Sequence, residues 1–155
     1  MDEHALFRHF LAALAYRGGK CLRDAPEAFI HYDTGNGRTP LAILAHMGDL
    51  LDWTLSMVDG QGRWKAGTPG TWDQETARFH EGLERLDRRL ASGGPVQAEW
   101  PRLLQGPLAD AMTHVGQLAL LRRMAGVPVS NENYFLADIT AGRVGPDQAP
   151  PRRPF

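Results

Sequence analysis

At 155 residues the chain has the length of one domain, and 43% apolar with 23% charged residues is ordinary globular composition. A formal net charge of -1, from 17 Lys and Arg against 18 Asp and Glu, offers no positive field to hold phosphate backbones, so no nucleic-acid partner is expected. Acid in the opening Met1-Asp2-Glu3-His4, where a secretory signal carries Lys or Arg, and no apolar run read as long enough for a bilayer point to a cytoplasmic protein with no membrane partner.

The first predicted element carries Phe7, Phe10, Leu11 and Leu14 at i, i+3, i+4 and i+7, one face of a helix expected to end at Gly18 and Gly19. Cys21 follows those glycines. As the single cysteine it cannot form an internal disulfide, and with no histidine in a recognisable local motif it is not read as a nucleophile.

The second helix is expected to start at Thr39-Pro40, where a hydroxyl can cap free amides and proline has no amide to leave unpaired. Leu44, Met47, Leu51, Leu55 and Val58 form its apolar stripe, and Gly60 with Gly62 stops it. A third begins at Thr71, with Gln74 completing a capping box, and repeats Phe79, Leu83, Leu86 and Leu90 before Ser92-Gly93-Gly94-Pro95. Arg85, Arg88 and Arg89 interleave with Glu81, Glu84 and Asp87 on that helix, the pattern of a solvated face.

The fourth helix is expected from Gly106-Pro107 to Gly126, with Leu108, Met112, Val115, Ala119 and Arg122 on one stripe. Beyond Val127, Tyr134, Phe135, Leu136 and Ile139 suggest one short helix. Four amphipathic helices and no convincing strand predict an all-α bundle over residues 1–144, followed by a Pro-rich, mobile tail over 145–155.

Helix four also carries Asp110, His114, Gln117 and Leu121 at spacings of four, three and four. Residues four apart share a helix face and can chelate one ion together. His46, one residue before Met47 in an otherwise apolar stretch, is the candidate third ligand. Two imidazoles and one carboxylate leave positions open, as in catalytic rather than structural sites. Spacing alone leaves a second reading open: the macrodipole favours Asp early in a helix, and a half-buried His is often a packing residue. Asp49 and Gln117, each within a turn of a candidate ligand, could orient ligands or serve as cap and surface. His4, His9, His31 and His80 have no such partners and are read as surface or packing residues. No phosphate loop, nucleophile elbow or Cys-x-x-Cys pair is present.

The stretch Thr39-Pro40-Leu41-Ala42-Ile43-Leu44-Ala45-His46-Met47 resembles the second helix of DinB-like proteins. Asp110-Ala111-Met112-Thr113-His114-Val115-Gly116-Gln117-Leu118, with the following Leu121 to Pro128, resembles that family's last bundle helix, and Asn131-Glu132-Asn133-Tyr134-Phe135 one of its branches. The resemblance implies a DinB-like four-helix bundle, a short extra C-terminal helix or irregular tail, and one divalent metal (zinc, nickel, manganese or iron) on His46, Asp110 and His114. Asp110 stands where most members have histidine, and a carboxylate there makes the site harder and more negative.

The resemblance further implies a metal-dependent transferase using a low-molecular-weight thiol on a small-molecule substrate, with Trp53, Trp64 and Trp72 lining the pocket, in a stress-related homodimer. A metal-dependent hydrolase and a non-catalytic metal-binding helical protein are the competing expectations.

Overall fold

A computed structural model describes residues 2–155, and among these it is all-helical, with no strand. Four long helices carry the core: α1 (Glu3–Leu22), α3 (Pro40–Val58), α4 (Trp72–Ala91) and α6 (Ala109–Met124). Two short ones, α2 (Glu27–Ile30) and α5 (Trp100–Leu103), lie in the connections. Each of α1 and α3 packs on both α4 and α6, so the apolar stripes meet in one core that includes Leu11, Leu14, Leu44, Met47, Phe79 and Leu118.

Two helix starts obey their local chemistry. Thr39 caps α3 by accepting from the Ala42 amide, with Pro40 at the first position. Thr71 and Gln74 form a reciprocal capping box on α4.

Other boundaries depart from the sequence expectation. Helix α1 does not stop at Gly18 and Gly19 but runs on to Leu22. A Cβ at Gly18 would lie 3.0 Å from the Phe79 ring, so this glycine serves the close approach of α4 and not a helix end. The last long helix begins at Ala109 and not at Gly106, because Leu104–Leu108 is a widened turn broken at Gly106 (φ -92°, ψ -106°). That break places Asp110 in the first turn of α6.

Contrary to the sequence reading, α3 is long and apolar enough to cross a membrane by length and composition, with a mean hydropathy of 1.2. Its apolar residues form the centre of the core, and its acids Asp49 and Asp52 both pair with Arg78 of α4. Arg122 of α6, placed on the apolar stripe by its spacing, is buried and donates to the carbonyls of Cys21, Arg23 and Val127. It thereby ties the end of α1 to the end of α6.

After α6 the chain forms one 3-10 turn, Tyr134–Leu136, where a short helix was expected. Glu132 is buried on α1, paired with Lys20 at 2.9 Å and accepting from the Tyr16 hydroxyl at 2.6 Å. Within residues 145–155, Gln148 and Ala149 are buried. The Phe155 amide donates to the Asn131 carbonyl and the Asn133 amide to that of Arg153.

Candidate metal centre

Helices α3 and α6 each present one edge to the other, and His46, Asp110 and His114 meet there. One ligand atom from each lies within 4.8 Å of the other two. His46 Nε2 is 3.5 Å from Asp110 Oδ2, and His114 Nε2 is 3.3 Å from Asp110 Oδ1. The two imidazoles stand nearly perpendicular, with ring centres 5.0 Å apart. The His114 side chain is 10% exposed and that of His46 18%, whereas Asp110 is 46% exposed, so the carboxylate forms the open side of the cluster.

Neighbouring groups fix the ring orientations. Gln117 Oε1 lies 2.7 Å from His114 Nδ1 and holds the ring with its Nε2 edge turned towards Asp110. Trp64 packs edge-on against His46 at 5.7 Å, and Trp53 packs against Trp64 at 5.4 Å. Burial foremost, then the positive charge of Arg38 and the neighbouring His114, hold the His46 imidazole below its ordinary 6.5 against the opposing pull of Asp110. The balance favours the neutral imidazole, the form that ligates a metal.

Two imidazole nitrogens and a carboxylate converge here from two helices, with the carboxylate on the open side. Imidazole nitrogen and carboxylate oxygen are the donor types that divalent zinc, nickel, manganese and iron take, so the residues present fit a metal.

The loop between α3 and α4 is held over this region by Asp49, which was considered a ligand-orienting residue. Asp49 instead accepts from the Gly67 amide and pairs with Arg78 at 2.6 Å. It acts on the loop that carries Trp64 and touches none of the three ligand candidates. Trp72 is likewise away from the pocket: it is buried against Phe29 and reaches the Leu22 carbonyl through Nε1.

His80 is buried and bonded to the Val144 carbonyl, and His31 is exposed beside Glu27, as packing and surface residues. Cys21 is buried, and burial pushes its thiol up to about 11, which leaves almost no thiolate at neutral pH. Arg85 and Arg89 reach across from α4 to Asp52 and Asp59, so that basic face also joins α4 to α3 and its C-terminal end.

Two clefts flank the cluster. One, of about 340 Å3, is lined by His114, Gln117, Ile43 and Leu121 together with Arg38 from the loop before α3. The other, of about 430 Å3, opens beside Asp110 among Trp53, Gly106, Pro107 and Thr113. Arg38 was not anticipated from the sequence. The available signal was a cation immediately before a helix cap, where the helix macrodipole disfavours positive charge.

Fold and site together define an all-helical protein with a three-residue cluster able to hold a metal. No family model matches the chain, and no solved structure matches it.

Proposed function

We propose that the protein binds one divalent metal ion through His46, Asp110 and His114, in a DinB-like four-helix bundle, and acts as a metal-dependent transferase with a low-molecular-weight thiol. The observation that carries the metal reading is the convergence of three ligand atoms from two helices within 4.8 Å. The resemblance of the Thr39 to Met47 and Asp110 to Leu118 stretches supports the thiol chemistry.

When bound, the metal supplies a Lewis acid that lowers the pKa of a coordinated thiol. The chain's own residues do the positioning: Gln117 holds the His114 ring, Trp64 covers one edge of His46, and half-exposed Asp110 leaves the cluster open to small molecules. A homodimer in the cytoplasm accompanies this reading, and light scattering of the purified protein tests the dimer.

Turnover of a chromogenic aryl halide by metal-loaded protein, with and without a panel of low-molecular-weight thiols, tests the transferase. Thiol-dependent turnover that is lost in His114→Ala supports it. The exposure of Asp110, which gives water access to the cluster, favours a hydrolase as the second reading; ester or amide hydrolysis without thiol would replace the transferase by that reading. Metal binding with neither activity would leave a non-catalytic metal-binding protein.

A further inference from the structure

We infer that the cleft on the His114 side takes a small ligand bearing a carboxylate, which pairs with Arg38 while the other end of the ligand reaches the metal centre. This rests on the metal reading above. One cleft wall brings together what such a ligand needs: the Arg38 cation, the candidate metal ligand His114, and apolar Ile43, Leu120 and Leu121. At about 340 Å3 it lies near the small end of ligand pockets, which span roughly 300–1,000 Å3.

The guanidinium is free for a ligand. The arginine ion pairs of this structure engage Arg8, Arg78, Arg85, Arg88, Arg89, Arg102 and Arg152, and none among the described residues engages Arg38. Its placement favours an anion beside it. Arg38 directly precedes the Thr39 cap of α3, where the helix macrodipole is positive, and the first turn of α3 carries no acid to offset it.

The backbone that presents Arg38 is shaped for this position. Asp33 Oδ1 accepts from the Gly35 amide, and Gly35 and Gly37 take positive φ values of 81° and 141°, turning the chain back beside the cleft. The cleft on the Asp110 side offers Gln105 and Thr113 but no cation, so the two clefts differ in the ligand they accept.

A carboxylate fits better than a phosphate. One planar guanidinium matches one singly charged carboxylate in a two-pronged pair, and the lining adds no second cation for a dianion.

The test uses protein reconstituted with cobalt(II), whose absorption reports a bound thiolate. A homologous series of ω-mercapto carboxylic acids is titrated against the ω-mercapto alcohols of matching length, with cobalt stoichiometry measured in every sample. The best acid is expected to bind about tenfold more tightly than its alcohol, the scale of a charge-assisted bond at a partly solvated site. Arg38→Ala is expected to erase that difference with cobalt content unchanged, and Arg38→Lys to keep part of it. Because Arg38 is exposed, both variants are expected to fold.

Full cobalt binding with acid and alcohol equal, or an acid preference that survives Arg38→Ala, would overturn the carboxylate proposal and leave the metal reading intact. Arg38-dependent displacement of the acid by inorganic phosphate more readily than by acetate would overturn it in favour of a phosphate ligand. Failure of wild-type protein to bind cobalt would overturn both readings.

Discussion

Gln117 Oε1 lies 2.7 Å from Nδ1 of His114, one turn away on α6, and so turns the Nε2 edge of His114 towards Asp110. Outer partners of metal-bound histidines typically contribute ten- to a hundredfold in metal affinity, roughly. Gln117→Leu is therefore expected to weaken metal binding by about that factor with all three ligands intact, and Gln117→Glu to retain most of it. Competition with a chromophoric chelator measures the change. Unaltered affinity in Gln117→Leu would show that the contact does not orient the ring.

Gly18 and Phe79 make a close approach between α1 and α4. Alanine at position 18 would gain helix propensity of about 1 kcal/mol, yet its Cβ would meet a fully buried ring at 3.0–3.2 Å. Overpacking of this kind costs about 1–3 kcal/mol where the neighbour cannot move aside. The clash is expected to win, so Gly18→Ala should lower thermal stability. Denaturant titration of the variant against wild type checks the sign.

That contact also shows where sequence reading reached its limit. The Thr39-Pro40 and Thr71/Gln74 helix starts were legible because a cap is made by residues within four positions of each other. The role of Gly18 was not, since a residue distant in sequence, Phe79, decides it. In the candidate site, Asp110 and His114 were legible as a pair from their spacing of four, and His46 from its polar character in an apolar stretch. Arg38 and the hold of Asp49 on Gly67 lie in or against irregular loops, where no periodicity signals which side chains converge. Trp72 was misplaced because an aromatic residue at a helix start serves core and pocket equally well in sequence, and Phe29 settles which.

Lys20 and Glu132 form an ion pair with side chains only 6% and 0% exposed. Burial alone would raise the Glu132 carboxyl, but the Tyr16 hydroxyl and the Lys20 ammonium together hold it below its ordinary 4.5. A carboxyl depressed by folding contributes stability that is complete above its unfolded value and is lost as pH falls through the folded value. Glu132→Gln, which leaves the Lys20 charge buried without its counter-ion, should cost about 3 kcal/mol at pH 7. The gap between variant and wild type should narrow as pH drops below 4.5. Urea unfolding across acid pH reads it, and a gap independent of pH would contradict this account of the pair.

Metal content measured by mass spectrometry, on protein purified without a metal-binding tag, addresses the central claim most directly. Wild-type protein is expected to carry close to one divalent metal per chain, and His46→Ala, Asp110→Ala and His114→Ala each to lose it while keeping their helical circular dichroism. Wild-type protein that holds no metal after incubation with zinc, nickel, manganese or ferrous iron, or a metal retained in all three variants, would contradict it.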